Sequence, residues 1–168
     1  MQTNRTLDVE ALDLLIPSTH LMRVPTEADW GDYQADLDQA SAYKLFAGRT
    51  NQEMLPHFRS NVIETTDELR WMPEVPFRYY VLGFRDFVMA GEFDHLEASD
   101  AASCFLGLVL EKLEKQPGYI LPIMPDLLPA VRHVAMNQAS FDANERIYGS
   151  FQEKLGRIEA LYETLGNS

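Results

Sequence analysis

The stretch from Trp71 to Phe93, WMPEVPFRYYVLGFRDFVMAGEF, constrains this chain more than any other, because it holds Trp71, Phe77, Tyr79, Tyr80, Phe84, Phe87 and Phe93 in a short span. Aromatic side chains bury large areas, so a cluster this dense decides where the chain collapses. From Phe77 onward the apolar positions Phe77, Tyr80, Val81, Phe84, Phe87 and Val88 recur at three- and four-residue steps, which predicts a helix broad enough to touch two neighbours. The stretch carries no nucleophile elbow, metal-ligand set or phosphate loop. It reads as the centre of a core, and no motif in it names a reaction.

The same helical spacing recurs along the chain with almost no two-residue alternation, so the expected fold class is all-α: one compact bundle of about six to seven helices. At 168 residues the chain is of ordinary single-domain size. The expected organisation is a single helical domain over 1–168. Its first part, 1–25, is a short helix over Leu7 to Ile16 and a Pro-flanked connector from Pro17 to Pro25. The helical core spans 26–166. Thr26 with Asp29 predicts the opening of a helix carrying Trp30, Tyr33, Leu37 and Ala40 and running, either unbroken or with a break, to Phe46 and Ala47. Gly48 predicts its stop, and Thr50-Asn-Gln-Glu53 has the form of a capping box for the next helix.

Further on, Ser99 or Asp100 is expected to cap a helix bearing Ala102, Phe105, Leu106, Val109, Leu110 and Leu113, ended by Gln116-Pro117-Gly118. Gly83 inside the aromatic helix implies a close backbone approach, with Gly107 expected opposite. The segment from Tyr119, with Pro122, Pro125 and Pro129, is expected to start extended or turned and then to form a helix capped by Asp126. A last helix after an Asp142 cap is expected to carry Tyr148, Phe151, Leu155, Ile158, Tyr162 and Leu165. Gly149 and Gly156, seven residues apart on it, form a small-residue face for close contact with either an internal helix or a second copy of the chain, the latter giving a homodimer.

The phrases FAGRT, LRWMP, FRYY, SDAASCFLGLVL and IYGSF together resemble an uncharacterised family of small bacterial helical proteins, a domain of unknown function, over Trp30 to Ile158. The resemblance implies a helical, bacterial, soluble protein. It assigns no catalytic or binding residue.

Charge narrows the partners. A net charge of -12 repels nucleic acid and anionic bilayers unless a basic stripe is segregated, and the nearest basic pairs, Lys112 with Lys115 and Arg78 with Arg85, sit among acids or apolar residues. Neither nucleic acid nor membrane is an expected partner. Asp8, Glu10 and Asp13 interrupt the apolar run of a secretory signal, no segment has eighteen apolar residues in a row, and the lone Cys104 forms no internal disulfide. The expected location is the cytoplasm.

Chemistry is sparse. Glu92 and His95 match one Glu-x-x-His step of helical di-iron proteins, but the second pair and the further glutamates are missing, so no metal and no cofactor is expected. Cys104, just inside a helix, is more simply a buried thiol than a nucleophile. Arg78 and Arg85 share a helix face, and with Cys104 they define an alternative: a ligand pocket or enzyme site among the aromatic residues. Glu74, four residues before Arg78, makes an ordinary helical ion pair the simpler reading.

The feature that favours a function is acidic. No basic residue lies between Arg23 and Lys44, whereas Glu27, Asp29, Asp32, Asp36 and Asp38 all do. On a continuous helix Asp29, Asp32 and Asp36 stack on one side, an unneutralised face suited to steering a basic protein. The residues therefore favour binding over catalysis: a protein-binding protein, in one form immunity- or antitoxin-like, that contacts a basic partner.

Overall fold

The computed structural model describes residues 22–94 and 97–167, and among them every regular element is helical. The nine α-helices among these residues are α1 (Leu37–Phe46), α2 (Asn51–Ser60), α3 (Val62–Arg70), α4 (Glu74–Ala90), α5 (Ala98–Lys115), α6 (Pro117–Ile120), α7 (Met124–Met136), α8 (Glu145–Tyr148) and α9 (Phe151–Gly166). The expected all-α class holds, and the count exceeds six to seven because α6 and α8 are single turns. The expected helix over Leu7 to Ile16, most of the connector and His95 lie outside the described residues.

Two long helices, α4 and α5, form the centre. On one side α2 packs on α4 and α3 on α5; on the other, α7 touches both and α9 lies across α5 and α7. The apolar stripes explain this arrangement. Phe77, Tyr80, Val81, Phe84, Phe87 and Val88 of α4 are all buried, as are Ala102, Phe105, Leu106, Val109, Leu110 and Leu113 of α5. Phe58 of α2 stacks on Phe84 at 4.9 Å between ring centroids, and Phe105 meets Phe84 edge-on at 5.6 Å.

Polar groups fix how α4 sits. The buried Tyr80 hydroxyl lies 2.7 Å from both the Phe46 and Arg49 carbonyl oxygens, so one side chain tethers α4 to the end of α1 and the turn after it. The Thr50 capping box is present: the Thr50 hydroxyl accepts from the Glu53 amide, and the Glu53 carboxylate accepts from the Thr50 amide. The residue after it, Asn51, donates from Nδ2 to the Tyr79 carbonyl at 3.0 Å.

Several local expectations are corrected. The helix expected from Thr26 to Phe46 and Ala47 takes the broken form: its first part is two 3-10 turns, Glu27–Trp30 and Tyr33–Ala35, and α-helix begins only at Leu37. The break is at Gly31, whose φ of 60° and ψ of -141° an L side chain rarely adopts. The capping pair survives, since the Thr26 amide donates to Asp29 at 2.7 Å. Gly83 does admit a close neighbour, but it is the Asn51 side chain and not Gly107, which faces open space. Ser99 and Asp100 cap nothing; both reach the Tyr148 hydroxyl, at 3.0 and 2.8 Å.

The proline-rich segment is helical almost throughout, because Pro117, Pro122 and Pro125 each fall at the start of a helical piece, where no amide hydrogen is needed. Thus α7 begins at Met124, ahead of the expected Asp126 cap, and Pro129 lies inside it. Gly149, at φ 75°, separates α8 from α9, so it does not share a helix with Gly156. Ser150, not Asp142, caps α9. Gln138 staples this region: its Nε2 donates to the Ala143 and Gly149 carbonyls and its Oε1 accepts from the Phe151 amide.

A methyl group at residue 83 would fall 2.2 Å from Asn51 Oδ1 and 2.8 Å from its Cβ, so Gly83→Ala must displace Asn51 and its bond to Tyr79. That overpacking exceeds the gain of about 1 kcal/mol in helix propensity, and urea unfolding should show a net loss of about 1–3 kcal/mol. Asn51→Ala combined with Gly83→Ala should recover part of that loss in a double-mutant cycle. Simple additivity of the two changes would show that Asn51 is not the obstacle.

Candidate functional site: an acidic edge beside a lysine-floored cavity

The acidic segment exists, but in a form that differs from a helix face. Asp29, Asp32 and Asp36 sit in successive short turns: Asp29 at the end of the first capping box, Asp32 before the second 3-10 turn, and Asp36 at the N-cap of α1. They do not stack as one helical row. Asp29 is also neutralised, since Arg23 Nη1 lies 2.8 Å from its Oδ2. The Thr26 amide and then Arg23 hold the Asp29 carboxyl below the usual carboxylate range.

The other four form no such pair: among the described residues neither Glu27, Asp32, Asp36 nor Asp38 forms an ion pair, although Arg23, Arg59, Arg70, Arg78, Arg85, Lys115, Arg132 and Arg157 each find a carboxylate. Asp36 Oδ1 accepts from the Asp38 and Gln39 amides at 2.9 and 3.0 Å, so part of its charge meets the start of α1. Between Asp36 and Asp38 stands Leu37, 89% exposed. Tyr33 stacks on Tyr43 at 3.8 Å and directs its hydroxyl to Glu27, which orders the other end of the segment.

Arg78, Arg85 and Cys104 have separate structural attachments. Arg78 pairs with Glu74 and donates to the Tyr119 and Gly118 carbonyls at 2.9 and 2.7 Å. Arg85 donates to the Asp126 carbonyl at 3.1 Å and pairs with Asp86. Both arginines thus tie α4 to the turns at either end of the 117–126 segment. Burial pushes the Cys104 thiol up, away from the thiolate that a nucleophile needs. Glu92 pairs with Arg59, and among the described residues no group of three or more His, Cys, Asp or Glu could hold a metal.

A different constellation adjoins the acidic edge. A cavity of about 370 Å³ opens where the end of α3, the end of α5, α6 and the start of α1 meet; Asp36 and Gln39 form one side, Trp71, Met72 and Tyr119 supply apolar surface, and Arg70, Lys112 and Lys115 supply cations. Lys112 is 2% exposed. Its ammonium donates to the Arg70 carbonyl at 2.7 Å and to Gln116 Oε1, and sits 4.8 Å from the Phe77 ring centroid and 5.2 Å from that of Tyr119. Burial lowers its pKa to about 8; Glu111 opposes this, while Arg70 and Lys115 add to it.

Glu111 shows the reverse balance. Its partial burial favours the neutral acid, but Lys115 at 2.8 Å and Arg70 Nε at 2.6 Å outweigh that and hold its carboxyl below the usual range. The spacing of α5 carried a signal for Lys112, since it lies seven residues beyond Phe105 and three beyond Val109, on the apolar stripe itself. A charged residue at a core position is the cue.

Compared with protein-family models, curated proteins and solved structures, the chain matches none. Among the described residues no helix is long and apolar enough to cross a membrane.

A lysine at pKa about 8 when folded and near 10.5 when unfolded is protonated more in the unfolded chain between those values, so stability rises with pH across that window. The wild-type protein should gain on the order of 2 kcal/mol from this group between about pH 8 and 10.5, relative to Lys112→Met. Urea titrations of both proteins at the two ends of the window test it. Parallel changes in the two would place the ammonium in water.

Proposed function

We propose that the protein works by binding a basic partner protein, with the edge formed by Glu27, Asp32, Asp36 and Asp38 as the contact. The observation that carries this reading is the missing compensation: Arg59, Arg78, Arg132 and Arg157 each meet a carboxylate elsewhere on the surface, and among the described residues these four acids meet no cation. Uncompensated charge of one sign steers an oppositely charged protein and sets its orientation. Leu37 adds an apolar group inside an acidic rim, the arrangement of a small interface centre, and Trp71, 46% exposed, borders the neighbouring cavity. Asp29 belongs to the same segment but is held by Arg23, so it positions the edge more than it adds charge to it.

An immunity- or antitoxin-like protein is one concrete form of this function, since such a protein covers a basic surface on its target. Glu27, Asp32 and Asp36 are held by tight turns and Asp38 by the first turn of α1, so the partner meets carboxylates at uneven spacing.

Asp32, Asp36 and Asp38 changed together to Asn test the reading cleanly, because Asp36→Asn keeps a side-chain oxygen at the N-cap of α1 while the charge is lost. Capture from a lysate of the source organism should retain a basic protein on the wild-type chain, with affinity at least about tenfold weaker for the triple variant. Raising the salt toward about 1 M, where the screening length is about 3 Å, should release it. Equal retention of the same protein by the variant would sink the acidic contact.

A further inference from the structure

We propose that the cavity floored by Lys112 binds a small carboxylate carrying a flat apolar body. This does not rest on the acidic edge being a protein contact. The cavity, about 370 Å³, lies in the size range of small-molecule sites and offers both chemistries such a ligand needs. Trp71, Met72 and Tyr119 supply surface for a flat body, and Lys112 and Lys115 supply ammonium groups for a charge.

The available donors select the head group. Two of the three Lys112 protons are committed, to the Arg70 carbonyl and to Gln116 Oε1. Gln116 is exposed and follows the last turn of α5, so a ligand oxygen can take its place without disturbing the core. The exchange replaces a neutral acceptor by a charged one on a desolvated ammonium, which gives a shorter and stronger hydrogen bond. Lys115, whose side chain is 70% exposed, gives one bond to Glu111 and has further protons for the second oxygen.

The carboxylates already present have donors of their own. Glu111 has Arg70 on one oxygen and Lys115 on the other, Asp67 pairs with Arg70, and Asp36 Oδ1 is engaged by two amides. They do discriminate against a doubly charged guest, because Asp36 and Glu111 line the site and Asp67 pairs with Arg70 beside it. A single charge on two oxygens fits, and a phosphate dianion meets more repulsion for the same donors.

The charged groups around Lys112 set the pH response: Glu111 and Lys115 from α5, Arg70 from α3 with its partner Asp67, and Asp36 from the start of α1. A bound carboxylate favours the protonated amine, so binding takes up a proton near pH 8 and weakens as the pH rises above it.

Benzoate serves as the probe, with benzamide as its uncharged counterpart and inorganic phosphate as an anion lacking the flat body. Titrated into the full chain at pH 7, benzoate should bind saturably in the range up to about 10 mM, shift the Trp71 indole resonance, and bind at least about tenfold tighter than benzamide or phosphate. Calorimetry at pH 8 in two buffers of different ionisation enthalpy should register proton uptake. Lys112→Met should weaken benzoate at least about tenfold, and Lys115→Gln, a surface change that leaves the core intact, about threefold. Absence of saturable benzoate binding, equal binding of benzamide or phosphate, or benzoate affinity unchanged in Lys115→Gln would each overturn the proposal.

Discussion

The buried hydroxyl of Tyr80 is the polar contact around which the rest of the structure is arranged. It sits inside the aromatic core and still reaches two backbone carbonyls, those of Phe46 and Arg49, at the junction of α1 and α2. The Phe46 carbonyl, at the end of α1, also accepts from the Arg49 amide at 3.0 Å, and the Arg49 carbonyl lies in the turn before α2, so the hydroxyl sits against both sides of that turn. Burial pushes the hydroxyl's pKa up, so it keeps its proton and can donate at neutral pH. Because α2 leaves that junction through the Thr50 capping box and immediately places Asn51 against Gly83, the position of α2 on α4 follows from the same contact. Hydrophobic burial gathers these helices, but the hydroxyl and the Asn51 amide specify where along α4 they dock.

Much of this was legible in the sequence, and the legible part is local. The stripe from Phe77 to Val88 and the one from Ala102 to Leu113 are periodic over several turns, so their burial follows from spacing alone. The Thr50 box is equally readable, because donor and acceptor lie three residues apart. Gly31 defeats the same reasoning: Trp30, Tyr33, Leu37 and Ala40 keep helical spacing across it, and only the backbone shows that the chain turns there. Gly149 misleads in the same way, since Tyr148 and Phe151 stay in phase across a break. The neighbour of Gly83 is an asparagine thirty-two positions earlier, a contact that no pattern along one helix contains.

The candidate site divides along the same line. The acids from Glu27 to Asp38 are visible as a gap in basic residues, but their arrangement depends on the two 3-10 turns, and Arg23 removes Asp29 from the free set. Arg78 and Arg85 share a face of α4, as their spacing requires, yet their guanidinium groups are spent on carbonyls about forty residues away. The cavity is less visible still, because it is assembled from α1, α3, α5 and α6 and only its lysine interrupts a pattern.

That interruption has a physical reason that bears on what the cavity is for. A methionine at residue 112 would cover Phe77 and Tyr119 without desolvating a charge, and replacing buried ionic groups by apolar ones of similar shape is often neutral or stabilising. It would leave the Arg70 carbonyl at the end of α3 without its donor, so part of the role of Lys112 is to cap that helix. A cap alone does not require burial, however, since Lys115 and Arg70 stand at the same corner with side chains in contact with solvent. What burial adds is an ammonium held between two rings with a depressed proton affinity, beside an open volume and an exposed amide. An incoming anion strengthens the charged form of such a group far more than it would an ammonium already solvated by water, because the solvation it replaces has been stripped away on folding. The charge that costs stability on folding is therefore the one on which the proposed selectivity depends.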